Sequence, residues 1–377
     1  MRMQPLLCWV VINSVPYHEA RFKAAAGHMR MRLCMIQLTA QDSFRPLRHP
    51  LGEQPFHRCT LFPDTPWPQA GGGEMVRRLH ACLDELGPTV VCINGWSFGG
   101  SVAALRWCIA RRVPAVLMSE STASDERRRW WIEAAKRRIV RLCSAALVGG
   151  SPHANYMQAL GMAAERISCG YDAVDNAHFR AGAKRARRSA AELRRRLALP
   201  ELYFMACARF SAKKNLPRLL SGYARYARDA GAAAWSLVII GDGELRETLL
   251  SLRDRLGLGG QAQFRGPRTY EELPSFYALA GAFVHASTTE QWGLVVNEAM
   301  ASGLPVLVSE RCGCASDLVV PGLNGFTFDP FDEHSIAAAM RSIANGGCDL
   351  REMGRASEAI VAAWSPERFA EGLARAV

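Results

Sequence analysis

Short apolar runs alternate with longer stretches whose apolar positions recur three to four apart, from Leu6 to the end of the chain. Runs that are apolar throughout suit strands buried on both faces of a parallel sheet, and the intervening spacing suits the helices that cover it. The predicted strands of the first half are Leu6 to Ile12, Arg32 to Leu38, His57 to Phe62, Thr89 to Ile93, Ala115 to Ser119 and Ala145 to Val148. Near Gly170 the rhythm stops in the polar stretch GYDAVDNAHF, and the basic run KRARRSAAELRRRLAL follows. After Pro200 it restarts with LYFMACARF, WSLVIIGDG, AQFRG, GAFVHAS, PVLVSE and GFTF. The pattern predicts an α/β protein of two doubly wound, Rossmann-like domains facing each other across an interdomain cleft. Residues 1–180 are expected to form the first domain, 181–200 a linker and basic helix, and 201–355 the second domain. A C-terminal helix within 356–377 returns to the first domain, with Ser365 capping a helix that starts at Pro366.

Length agrees with this division, because 377 residues exceed what one hydrophobic core usually serves. The net charge of +11 favours an anionic partner. Twelve cysteines are scattered, and the closest pair in sequence, Cys312 and Cys314, lacks the spacing of a zinc or redox motif. A reduced, cytoplasmic setting is therefore expected. The run from Met1 to Ile12 resembles a signal-peptide core in hydropathy, yet no small-x-small site follows and a buried strand is the expectation. No apolar run approaches the ~20 residues that span a bilayer.

The chemistry-bearing residues of the second half fall at predicted strand ends, where open α/β sheets bind ligands. Arg209 and Lys214 lie on the loop RFSAKK after the first strand of that half, and Gly241 opens the turn GDGE after the second. Glu290 precedes a helix predicted to begin near Trp292, and Glu298 lies inside it. Free N–H groups at Gly293, Leu294 and Val295, aided by the helix dipole, make an anion site suited to a diphosphate. Glu298 stands about a turn further on, at the reach of ribose hydroxyls, and Glu290 faces whatever lies beyond the second phosphate. A departing nucleoside diphosphate needs countercharge, either from a metal held by carboxylates or from fixed cations and dipoles. No Asp-x-Asp pair occurs, so no metal and no cofactor is expected.

The run EQWGLVVNEAMASGLPV closely resembles the Glu-x7-Glu signature of retaining GT-B glycosyltransferases of family four, the glycosyl transferases group 1. ARFSAKKN resembles that family's Arg-x4-Lys segment, GDGELRETL its second βα turn, and FRGPRTYEELPSFYALA the stretch leading into the signature. The resemblance covers Tyr203 to Phe328 strongly; PYHEARF, the Gly95-Trp96-Ser97 turn and GYDAVDN carry a fainter one in the first half. It implies a hexosyltransferase-type enzyme moving sugar from a nucleoside-diphosphate sugar, a substrate rather than a cofactor, to an unidentified acceptor with retention. Arg209 and Lys214 would then hold the diphosphate, Glu298 the ribose and Glu290 the donor sugar, with the backbone at Arg265 and Gly266 meeting the base. The loop Asn13 to His18 lacks the glycine that the family often has there; His18, Trp96 and Ser97 are the acceptor-side candidates.

Two rivals need separating. Gly95-Trp96-Ser97-Phe98-Gly99 fits the nucleophile elbow of an α/β-hydrolase, but none of the later histidines, His153, His178, His285 and His334, has an evident acidic partner. A sugar-nucleotide epimerase of GT-B fold would share the donor residues and need no acceptor. ERRRWWIEAAKRRIVR sets Trp130 and Trp131 among basic residues; a solvated face is the plain reading, and a peripheral grip on anionic lipid is the functional one. No nucleic-acid motif accompanies the charge.

Overall fold

The computed structural model describes residues 4–40, 54–67 and 69–377, so the first three residues of the N-terminal apolar run lie outside it. The chain divides into two units, 1–175 with 364–377, and 176–363.

The first unit is built on seven parallel strands: β1 Leu6–Val11, β2 Arg32–Thr39, β3 His57–Phe62, β4 Val90–Asn94, β5 Ala115–Ser119, β6 Ala145–Val148 and β7 Ile167–Cys169. They lie in the order β3-β2-β1-β4-β5-β6-β7. The order reverses between β1 and β4, which defines a topological switch point. Alternation along β1 sends Leu6, Cys8 and Val10 into one core and Leu7, Trp9 and Val11 into another, so both faces are covered. The Trp9 indole donates to Asn94 Oδ1 at 2.7 Å and pins β1 to the end of β4. β7 was not evident in the sequence, since only three residues pair and all are at least partly exposed.

The second unit holds six parallel strands: β8 Tyr203–Cys207, β9 Ser236–Ile240, β10 Ala262–Phe264, β11 Ala282–His285, β12 Val306–Ser309 and β13 Gly325–Phe328. Their order, β10-β9-β8-β11-β12-β13, puts the switch point between β8 and β11. The stretch 181–200, expected as a linker and basic helix, is helical for most of its length, in the helices Asn176–Arg188 and Ala190–Leu197, and belongs to this unit. Their basic residues are used: Arg187 donates to the Ser302 carbonyl at 2.6 Å and Arg194 to that of Leu279 at 2.9 Å. The helix Leu350–Val361 also belongs here, whereas Pro366–Ala376 packs on the helix Pro16–His28 of the first unit. Ser365 caps that last helix, accepting from the Arg368 N–H at 3.4 Å.

Candidate donor site at the second switch point

Four loops converge at the carboxyl end of the second sheet because backbone and one amide tie them together. The Thr288 N–H donates to the Lys213 carbonyl at 2.9 Å, joining the loop after β11 to the loop after β8. The Gly313 N–H donates to the Glu290 carbonyl at 3.0 Å and the Cys314 N–H to that of Trp292 at 3.2 Å, adding the loop after β12. Buried Asn215 reaches Ala286 and Pro330 carbonyls at 3.1 and 2.7 Å, adding the loop after β13. Its φ of 56° is left-handed, which asparagine tolerates better than most residues. The only sequence signal for this role was an Asn just before Leu-Pro at a helix start.

Lys214 and Glu290 thus meet across the switch point, one after β8 and one after β11. The Lys214 ammonium donates to Glu290 Oε2, and both side chains are about 15% exposed or less. Ser287 Oγ donates to the same oxygen at 3.1 Å, and His285 Nε2 lies 3.2 Å from it. Three groups therefore gather on Oε2, and Oε1 has no protein partner among the described residues. Burial alone would push the Glu290 carboxyl up, but the His285 hydrogen bond and the Lys214 charge outweigh it and hold it well below the usual carboxylate range. Burial, with Lys214 nearby, holds the His285 pKa down despite Glu290, so this imidazole is neutral at pH 7. His285 has an acidic partner after all, contrary to the expectation from sequence, because β11 ends at His285 and the loop folds Glu290 back over it.

The following turn explains its glycine. Gly293 has φ 110° and ψ 60°, a left-handed conformation from which the helix Leu294–Ala301 starts. The Val296 N–H is taken by the Gly293 carbonyl at 2.8 Å. Those of Leu294 and Val295 are first-turn donors without intrahelical acceptors, on residues half-exposed to solvent. The helix begins two residues later than the sequence pattern indicated, because Trp292 is buried with its indole donating to Asn297 Oδ1 at 2.8 Å. Arg209 stands exposed two residues beyond β8, on the same loop as Lys214.

Three other expected contacts look different in the fold. Glu298 is wholly buried, and its Oε2 accepts from the Tyr277 hydroxyl at 2.7 Å, so it anchors the preceding helix Leu273–Leu279 to the site helix. A side chain on Gly241 would fall 1.9 Å from the Ala208 carbonyl oxygen, and one on Gly243 2.8 Å from Phe210 backbone. These glycines thus let the two βα loops press together; the face they open is filled by the protein itself. The Arg265 N–H donates to the Ile239 carbonyl at 2.9 Å, its carbonyl accepts from Arg268, and the Gly266 carbonyl accepts from Gly241.

In the first unit, His18 lies in the first turn of the helix Pro16–His28 that follows β1, and the loop after β4 carries Trp96 and Ser97, on either side of that unit's switch point. His18 Nδ1 is 3.3 Å from the Asn13 carbonyl and its ring meets Trp9 edge-on at 5.0 Å. Trp96 lies beside Tyr156, with the Lys136 ammonium 5.5 Å from its ring centroid. Ser97 is exposed just before the helix Gly99–Arg111. Neither Ser287 nor Ser97 forms a hydrolase triad on the contacts found. Ser287 and Glu290 both contact Nε2 of His285, whereas a relay needs nucleophile and acid on opposite ring nitrogens.

The fold is that of GT-B proteins, as comparison with solved structures shows. Residues 190–359, most of the second unit, match the model of the family glycosyl transferases group 1. Anabaena HepE, solved in complex with UDP-glucose, superposes with a TM-score of 0.75 over 98% of each chain at 18% identity. A sulfoquinovosyl transferase of Arabidopsis thaliana is 38% identical over 28% of this chain and 21% of its own length. A lipopolysaccharide core biosynthesis glycosyltransferase of Rhizobium meliloti is 31% identical over 44% of this chain and 47% of its own. These matches span less than half the length of either curated relative.

Proposed function

We propose that the protein transfers a sugar from a nucleoside-diphosphate sugar to an acceptor nucleophile, retaining anomeric configuration and using no catalytic metal. The observation that carries this reading is the Lys214–Glu290 pair across the switch point, beside the free first turn of Leu294–Ala301. The diphosphate sits on the Leu294 and Val295 N–H groups. Lys214 spends one of its three donors on Glu290 and offers the others to phosphate, while the Arg209 fork supplies a second cation. As the bond from anomeric carbon to phosphate oxygen breaks, these charges stabilise the leaving diphosphate. Oε1 of Glu290 accepts from a sugar hydroxyl while Oε2 stays fixed. The acceptor hydroxyl forms the new bond to carbon and passes its proton to the departing diphosphate.

The group 1 family match and the UDP-glucose held by Anabaena HepE support a nucleotide-sugar donor. Retention rests on the resemblance to the Glu-x7-Glu family. Metal independence rests on the chain's own cations and helix N-terminus and on the lack of an Asp-x-Asp pair. The assignment of Glu298 to ribose rests on the resemblance alone, since the residue has no accessible surface as folded. The crowded backbone at Gly241, Arg265 and Gly266 leaves the Gly266 N–H as the group for the base. His18, Trp96 and Ser97 serve the acceptor side. Acceptors held at an anionic membrane surface suit the exposed Trp130 and Trp131, and among the described residues no helix is long and apolar enough to cross a membrane.

The test is incubation with UDP-, GDP- and ADP-sugars while free nucleoside diphosphate is followed. Slow donor hydrolysis without acceptor, accelerated by acceptor, supports transfer. Conversion to an epimeric nucleotide-sugar with no diphosphate released would favour the epimerase reading.

A further inference from the structure

Across the first sheet, register assembles soft metal donors that sequence spacing conceals. Cys34 of β2 pairs with His57 of β3, and Ile36 with Cys59, so Cys34, His57 and Cys59 share one face of two neighbouring strands. One ligand atom from each, two Sγ and an imidazole nitrogen, lies within 4.8 Å of the others, the only such convergence of three His, Cys, Asp or Glu side chains among the described residues. The two Sγ atoms are 3.9 Å apart. Two thiolates at ~2.3 Å from one tetrahedral zinc are separated by ~3.8 Å, so this spacing already matches a shared metal. Further thiols flank the cluster: Cys8 of β1 is the ladder partner of Cys34, and Cys82 of the helix Gly72–Leu86 lies beside Cys59. Cys34 is buried, Cys59 half-buried and His57 exposed, giving a closed inner side and an open entry.

We infer that Cys34, His57 and Cys59 bind a thiophilic divalent cation of the zinc type, with Cys82 the nearest thiol for a fourth position. Two thiolates and an imidazole select such an ion over magnesium or calcium, which need oxygen ligands. The competing chemistry is a Cys34–Cys59 disulfide. Its cysteines are diagonal across adjacent strands, where Cα atoms stand roughly 7–8 Å apart, beyond the ~7 Å that a disulfide bridges without backbone movement. Among the described residues, β3 is an edge strand paired only with β2. A metal here clips that edge to its neighbour, and the role is structural: no residue of the proposed donor site belongs to this unit.

Full-length protein, purified reduced and stripped with chelator, is titrated with Co²⁺ and then with Zn²⁺. The expected result is one Co²⁺ per chain with thiolate charge-transfer absorption, displaced by Zn²⁺, and a higher melting point with Zn²⁺. His57→Ala and Cys59→Ser should each weaken binding at least about tenfold, the double variant should abolish it, and Cys348→Ser should leave it unchanged. His57 is exposed, so its variant should keep the metal-free melting point and stay informative. Absence of the thiolate band, a band that survives in the double variant, or loss of two thiols to a Cys34–Cys59 disulfide instead of metal binding would overturn the inference.

Discussion

At the scale of single residues, the candidate site turns on one carboxylate whose Oε2 gathers Lys214, His285 and Ser287. Glu290→Gln keeps the size of the side chain but leaves Lys214 without its counter-ion in a place that is about 15% exposed, and should cost about 2–3 kcal/mol at neutral pH. The sign of its pH dependence follows from the depressed carboxyl. The native state favours the ionised form, so the charge-dependent stability is complete above the ordinary value near 4.5 and fades as pH falls towards the lower native value. Melting curves should therefore separate wild type from Glu290→Gln most above pH 5, and the gap should narrow in acid. Lys214→Ala should lower turnover about 10²–10³-fold, the loss expected when a charge acting on the leaving group is removed. Its effect on KM should be smaller, which single-turnover kinetics would check. For Glu298, substitution by Gln is the informative change: a glutamine oxygen can still accept from Tyr277, so a loss of donor binding with an intact melting point would separate ribose contact from anchoring.

At the scale of elements, Gly293 is the joint on which the helix Leu294–Ala301 is aimed. A Cβ there would meet only ordinary contacts, the nearest at 3.5 Å, so space does not demand glycine; the φ of 110° does. Gly293→Ala should cost about 1–2 kcal/mol and weaken nucleoside-diphosphate binding through a tilted first turn, read by calorimetric titration. The helix Trp130–Leu142 supplies a second element-level expectation. Trp130 is 79% exposed, beside exposed Trp131 and several exposed arginines. Trp130→Ala with Trp131→Ala should reduce sedimentation with phosphatidylserine vesicles while leaving binding of free nucleotide-sugar unchanged; equal sedimentation of both proteins would assign this face to solvent alone. What the sequence made legible at this scale follows from local physics. Apolar runs marked nearly every strand, and the Ser365-Pro366 start signal marked the last helix. It indicated helix within 181–200 but not what the charge does there, since Arg187 and Arg194 bond backbone carbonyls of neighbouring elements.

At the scale of the whole molecule, two doubly wound units each hold their candidate residues beside a switch point, and their position at strand ends was readable from the sequence. Side-chain partners were not. That Glu290 and His285 share a hydrogen bond, that Asn215 ties three loops, and that Cys34, His57 and Cys59 converge all depend on register and loop closure, which a linear pattern does not encode. The account's central claim is that Lys214, Arg209 and the first turn of Leu294–Ala301 cradle a diphosphate. The most direct measurement is the melting point of the full chain, wild type and Lys214→Ala, with and without UDP, GDP, ADP and their glucose conjugates. The account expects at least one of these ligands to raise the wild-type midpoint by several degrees, with most of that rise lost in the variant. No shift with any of them, or the same shift in both proteins, would contradict it.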